Sequence, residues 1–152
     1  MLKKRLGIEA IEKSWESTYK YMQDYFKIPT SIIIPGNCRR IGPWAFWGCT
    51  GLKDVVILDG CGRIGEAAFK DCYNLEKVEI PESVVEIRDF AFKECEKLKR
   101  VVADGLLILK NYAFWGCRGL ADLIIPVNVK SEDYAFSGCE KAEIKYRVRY
   151  KC

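Results

Sequence analysis

The apolar positions of this chain recur in a pattern longer than any single helix or strand. Between Pro81 and Ala103 they are Val84, Ile87, Ala91, Phe92, Cys95, Leu98, Val101 and Ala103. The early ones are spaced mostly by three or four residues and the last two by two, so a helix-like period gives way to strand-like alternation. The same set stands earlier as Cys61, Ile64, Ala68, Phe69, Cys72, Leu75, Val78 and Ile80, and before that as Cys38, Ile41, Ala45, Phe46, Cys49, Leu52, Val55 and Ile57. The segment Ala-Phe-x-x-Cys occurs five times, ending at Cys49, Cys72, Cys95, Cys117 and Cys139, at intervals of 23, 23, 22 and 22 residues. Such regularity predicts stacked structural repeats.

One unit taken alone resembles an amphipathic helix, but two features oppose that. Gly42-Pro43 interrupts the stretch in the first unit, and Ile34-Pro35, Ile80-Pro81 and Ile125-Pro126 punctuate the strand ends. The repeat is also shorter than the roughly 34 residues that a helix-pair unit needs. The expectation is a coil with a short strand ending in Val-x-Ile, a turn at Pro, an extended piece, and a tight helical turn at Ala-Phe. A single such coil cannot bury its apolar side, so stability comes from stacking.

The chain has 152 residues, enough for one domain; 49% are hydrophobic and 30% charged, which excludes a disordered segment. Eight cysteines first suggest a disulfide framework. Their regular spacing points instead to a ladder of thiols used as small buried packing groups. Cys38 and Cys61 share a repeat position with Val84 and Leu106, which asks for packing and not for a bond. There is no Cys-x-x-Cys pair and no histidine, so no metal site and no cofactor are expected. Neighbouring rungs stand close enough that an oxidising compartment could link a pair.

The units also resemble the BspA-like leucine-rich repeats. Ile80-Pro81-Glu82-Ser83-Val84, Ile41-Gly42, Ile64-Gly65 and the five Ala-Phe-x-x-Cys segments carry the likeness over about residues 28–145. The resemblance implies an α/β-type repeat solenoid: a right-handed stack of about five coils of 22–23 residues with a parallel sheet. It also implies surface adhesion or protein binding. The fifth unit departs from the pattern. Ser131 or Glu132 replaces the Ile before its Ala, Ala142 replaces Leu, and the unit is one residue short before Ile144.

Solenoid ends need covering. Residues 1–27, with Leu2, Leu6, Ile8, Ile11, Trp15, Met22, Tyr25 and Phe26 mostly at helical spacings, are expected to form an N-terminal helical cap ahead of a solenoid over 28–145. Residues 146–152 are expected to form a half-buried basic capping strand, in which Tyr146, Val148 and Tyr150 alternate with Arg147, Arg149 and Lys151. Residues 141–152 carry five basic side chains and one acidic, which equals the net charge of +4. Lysine on a last strand deters edge pairing, so nucleic acid is not the expected partner.

If Lys77-Val78-Glu79-Ile80 is a strand, Val78 and Ile80 face inward and Lys77 and Glu79 outward. The equivalent outward positions are Ile33; Asp54 and Val56; Arg100 and Val102; and Asp122 and Ile124. One column alternates in charge and the next is largely apolar, a pattern that marks a partner surface. A second candidate is the aromatic group Trp44, Trp47, Tyr112 and Trp115 beside the Ala-Phe motif. The reading is therefore a non-enzymatic protein–protein interaction module. The alternatives are a homo-oligomer through the apolar column or end strand, or an adhesion fragment of a larger surface protein. Catalytic residues are not expected, because the acids and lysines are spread over repeat positions and no His supplies a base. No transmembrane segment is read. The abundance of thiols suggests the cytoplasm for a full-length chain, and the cell surface for one cut from a longer secreted protein.

Overall fold

The Val-x-Ile segments become strands because their β-branched residues pack on both neighbours of a stacked sheet. The structure, a computed structural model, describes residues 29–148. Six strands form one all-parallel sheet in the order β1 (Ser31–Ile34), β3 (Asp54–Ile57), β5 (Lys77–Glu79), β7 (Arg100–Val102), β9 (Asp122–Pro126) and β11 (Glu143–Arg147). Val55 lies beside Val78, and Val101 beside Leu123 and then Ile144, so the inward row is continuous from coil to coil.

The extended pieces form a second parallel sheet, from β2 (Arg40–Ile41) through β4 (Arg63–Ile64), β6 (Glu86–Ile87) and β8 (Ile108–Leu109) to β10 (Lys130–Ser131). Ile41, Ile64, Ile87 and Leu109 are its buried row. This sheet goes beyond the sequence expectation, which gave the segment only an extended backbone. Ser131, and not Glu132, takes the fifth place in that row, since it is in register with Leu109.

No α-helix occurs among the described residues, so the helical half of the α/β expectation does not hold there. The Ala-Phe segment is a turn with two left-handed positions. Trp44, Ala67, Phe90 and Tyr112 have φ of 62°, 49°, 58° and 56°, and four residues later Gly48, Asp71, Glu94 and Gly116 have 66°, 60°, 59° and 74°. A right-handed helix cannot pass through such residues. Their effect is to turn alternate N–H groups along the stack. Ala67, Phe69 and Asp71 donate to the carbonyls of Asp89, Ala91 and Lys93 in the next coil, while Ala68, Lys70 and Cys72 donate three residues back. The turn is thus a third hydrogen-bonded row between coils, and its buried backbone is satisfied without a helix.

Inside, Phe46, Phe69, Phe92, Phe114 and Phe136 stack with ring centroids 5.1, 5.2, 5.3 and 6.3 Å apart. Leu52, Leu75, Leu98 and Leu120 form a buried row beside them. Each fully buried side chain of this size contributes about 1.5–3 kcal/mol through removal from water. The last coil is weaker: Phe136, Cys139, Ala142 and Ile144 are only partly buried. Strand β11 starts at Glu143, one residue after Ala142, where β9 starts two after Leu120, and Ile144 still lies beside Leu123.

The helical cap expected over residues 1–27 lies outside the described residues, as do residues 149–152 of the expected capping strand. Strand β11 spans the boundary drawn between 145 and 146 and is the sixth rung of the first sheet. It is less covered than a half-buried strand: Tyr146 and Val148 are exposed, because no further coil lies over them among the described residues.

Candidate functional site

All-parallel sheets are normally covered on both faces. Here the inner face of the six-stranded sheet packs on the core, and side chains of β1, β3, β5 and β7 project outward into solvent. The outward position alternates with the inward one, so each coil presents two side chains on this face. A concavity of about 590 Å³ lies across β3, β5 and β7, lined by Asp54, Lys77, Glu79, Arg100 and Val102 together with Glu76 and Lys99. Five of the nine expected sheet-face residues therefore meet in one depression. Val56, half-buried, lies beside Glu79 in register, and Ile33, 67% exposed, stands on edge strand β1.

Ile124 departs from the expectation. It points outward by alternation but is 8% exposed. Its register neighbour in β11 is Lys145, whose ammonium reaches Asp122 at 2.6 Å and Glu143 at 3.2 Å. Ile124 is thus flanked in register by Val102 on one side and Lys145 on the other.

Most charges on the face are already matched. Lys77 pairs with Glu79 at 2.6 Å on its own strand, and Lys99 with Glu76 at 2.7 Å across coils. The hydrogen bond from Lys145 holds the Asp122 carboxyl below its ordinary range, and that from Lys99 does the same for Glu76. The Glu79 carboxylate in turn raises the Lys77 ammonium. Exposed pairs of this kind add little to stability. Their effect here is on the pattern of charge left over, because Asp54 and Arg100 form no ion pair among the described residues.

The sequence reading missed Glu76 and Lys99. The signal was available, since Lys53, Glu76 and Lys99 hold one repeat position just ahead of the strand and their backbones bond coil to coil. It also missed the outward side of the second sheet, where Val85, Leu107 and Ile108 are exposed and Glu86 is buried. Glu86 accepts from Arg63 Nε at 2.6 Å and lies 3.6 Å from Arg88. Strands of two residues are too short for alternation to register in the sequence.

The second candidate group is half-buried throughout. Trp44 and Trp47 meet edge to face at 5.5 Å, and Trp47 Nε1 donates to Asp71 at 2.8 Å. Lys70 lies over both indoles at 5.5 and 5.7 Å, and Lys93 lies 4.4 Å over Trp115. Phe90, Tyr112 and Tyr134 stack at 5.4 and 5.3 Å. These rings brace adjacent coils, and Tyr112 is locked between two neighbours, so this strip is more structural than the sheet face. Trp44 and Tyr112 hold left-handed backbone that glycine would take without strain; ring stacking compensates for it.

The seven described cysteines are all thiols. Cys72, Cys95, Cys117 and Cys139 each donate to a carbonyl one coil back, those of Phe46, Phe69, Phe92 and Phe114, at 3.1, 3.2, 3.1 and 2.9 Å. Burial pushes the Cys72, Cys95 and Cys117 thiols well up. Cys139, in the less covered last coil, is lowered by its interaction with the neighbouring Cys117. No group of three or more metal-ligating side chains converges among the described residues. No described helix is long and apolar enough to cross a membrane.

The profile of the BspA type leucine-rich repeat region matches residues 18–143 in six copies. No curated protein matches the chain. Among solved structures, a leucine-rich repeat protein of T. pallidum superposes with a TM-score of 0.72 at 28% identity, over 76% of this chain and 57% of that one. A leucine-rich cell surface protein of Faecalibacterium prausnitzii gives 0.66 at 33% identity, over 77% of this chain and 32% of that one. A leucine-rich repeat protein of Bacteroides ovatus gives 0.70 at 30% identity, over 80% and 34%. The matched region is therefore about half the length of the first relative and a third of the other two.

Proposed function

This chain belongs to the BspA-type leucine-rich repeat family, and from that premise we propose that it is a non-enzymatic interaction module whose six-stranded sheet face receives a protein partner at the cell surface. The observation that carries the reading is the bare face of an all-parallel sheet, with a concavity of about 590 Å³ across its middle strands. The charged and apolar side chains there change from coil to coil while the buried rows stay constant, as suits a scaffold whose recognition residues vary on a fixed frame. The F. prausnitzii relative, named as a cell surface protein, supports the location. An adhesion role within a longer surface protein fits the same face.

The test is a double substitution, Val56→Arg with Val102→Arg. Both residues are half-buried on the outer face, so the charges can reach water without entering the core. Affinity capture with the wild-type chain, read by mass spectrometry, should recover a partner that the double variant loses at an unchanged melting temperature. Retention of that partner by the double variant removes the sheet face from the function.

A further inference from the structure

Two opposite charges of the sheet face, Asp54 and Arg100, form no direct ion pair, and each acts only at longer range on its register neighbour, Lys77 and Asp122 respectively. Down the first outward column the register runs Ser31, Asp54, Lys77, Arg100 and Asp122. Lys77 is matched by Glu79 and Asp122 by Lys145. Asp54 and Arg100 are both exposed and have no ion-pair partner among the described residues. They flank Lys77 on either side, and both line the concavity.

Two strand spacings separate Asp54 on β3 from Arg100 on β7, about 9.6 Å. An extended β segment lying along the stack places same-side residues about 6.8 or 13.6 Å apart, and neither fits. A polyproline II segment places residues i and i+3 on one side about 9.3 Å apart. Its side chains thus meet Asp54 and Arg100 together, the two charges with no direct ion pair.

The size of the face selects the same class of occupant. Five strand spacings give a length of about 24 Å, and strands of three to five residues give a width of about 10–17 Å. The resulting few hundred Å² is well short of the roughly 800 Å² per partner that a stable dimer buries. It is ample for a single extended segment of seven or eight residues, which spans about 24 Å in polyproline II form.

We propose that the sheet face seats a polyproline II segment bearing a cationic side chain and, three residues away, a carboxylate, with the cation on Asp54 and the carboxylate on Arg100. The apolar stem atoms of the segment lie over Val56 and Val102. This deepens the sheet-face reading and rests on it.

The experiment uses the full chain and three capped, dye-labelled octapeptides centred on Lys-Pro-Pro-Glu, Lys-Pro-Pro-Lys and Glu-Pro-Pro-Glu, with affinity read by anisotropy at low salt. The wild-type chain should prefer the first by roughly threefold over each of the others, the size that single exposed ion pairs give. Arg100→Glu should shift the preference to the dication, and Asp54→Lys to the dianion, with melting temperatures unchanged because both positions are exposed. A fourth arm, with the two charges adjacent in sequence, should bind less well than the first. Equal affinities for all peptides, or preferences unmoved by the substitutions, overturn the charge assignment. If the peptides then bind alike but Val56→Arg with Val102→Arg abolishes them, the face itself stands. Absence of peptide binding to the wild-type chain overturns the proposal, while the capture experiment still judges the sheet-face reading separately. A dimer in light scattering that Val56→Arg with Val102→Arg dissolves overturns it as well.

Discussion

Cys95 donates its thiol hydrogen to the carbonyl oxygen of Phe69, 26 residues earlier and 3.2 Å away. The same oxygen accepts the backbone N–H of Cys72 at 3.3 Å. The bond explains why cysteine recurs here, where a ladder of valines would fill similar space. A buried carbonyl has two lone pairs to satisfy, and a thiol supplies a weak donor on a small apolar side chain. Replacing Cys95 by Ala removes both the donor and the sulfur's contacts, and should lower unfolding free energy by about 1–2 kcal/mol in urea titrations. The same change at the half-buried Cys139 should remove less than about half as much, because the last coil relaxes around it.

Thiol ionisation makes stability fall with alkali. The ordinary thiol titrates at 9.0, and Cys72, Cys95 and Cys117 are raised above that value in the folded chain, by burial first. Above pH 9 the unfolded chain therefore sheds these protons while the folded chain keeps them. Stability contributed by the three groups is complete below pH 9 and declines as pH rises beyond it. Each group adds a slope of about 1.4 kcal/mol per pH unit. Urea midpoints between pH 8 and 10.5 should fall steeply, and Cys95→Ala should flatten the slope by about one group's worth relative to wild type.

Native thiol labelling should follow coverage. Cys139 is partly exposed and its thiol is lowered by Cys117, whereas Cys72, Cys95 and Cys117 are fully buried. A maleimide followed by peptide mass spectrometry should modify Cys139 well before the other three. Labelling of Cys95 at a comparable rate in native buffer contradicts the ladder.

Glu94 occupies left-handed backbone at φ 59°, where Gly48, Gly116 and Gly138 stand in sister coils. Relief of that strain should make Glu94→Gly more stable by about 0.5–1 kcal/mol. The reverse experiment, Gly116→Ala, should destabilise by at least as much. Its new methyl would sit 2.5 Å from Glu94 Oε2 at a φ of 74°. Thermal melts of the two variants should therefore move in opposite directions.

Phe92 is the middle ring of its ladder, fully buried and stacked on Phe69 and Phe114. Phe92→Ala should cost about 3–5 kcal/mol, a large share of a domain's total stability. Phe136→Ala, at the 6.3 Å end of the stack, should cost distinctly less. Circular dichroism melts compare the two.

The inward rows were legible because burial admits only a narrow set of side chains, and Val55, Val78, Val101 and Leu123 repeat at intervals of 22 or 23 residues. The outward columns followed from alternation once the strands were placed. What alternation does not carry is how closely an outward position is crowded by its neighbours, which is why the burial of Ile124 went unread. Nor does it carry backbone handedness. Trp44, Phe90 and Tyr112 look like ordinary helix or strand residues in the sequence, yet their positive φ turns the expected helical segment into a row of bonds between coils. The second sheet stayed hidden because Arg40-Ile41 and its counterparts are too short to show a period.

Those three rows of backbone bonds, two sheets and the turn, all run parallel to the long direction of the stack. A tensile load applied between the two ends acts along each bond, and among the described residues the last coil has a neighbouring coil on one side only. Under a force probe the chain should peel one coil at a time from its weaker final turn. Each event should release about 22 residues, or roughly 70 Å of extended chain less one rung spacing. A molecule built this way meets traction as a graded series of small yields.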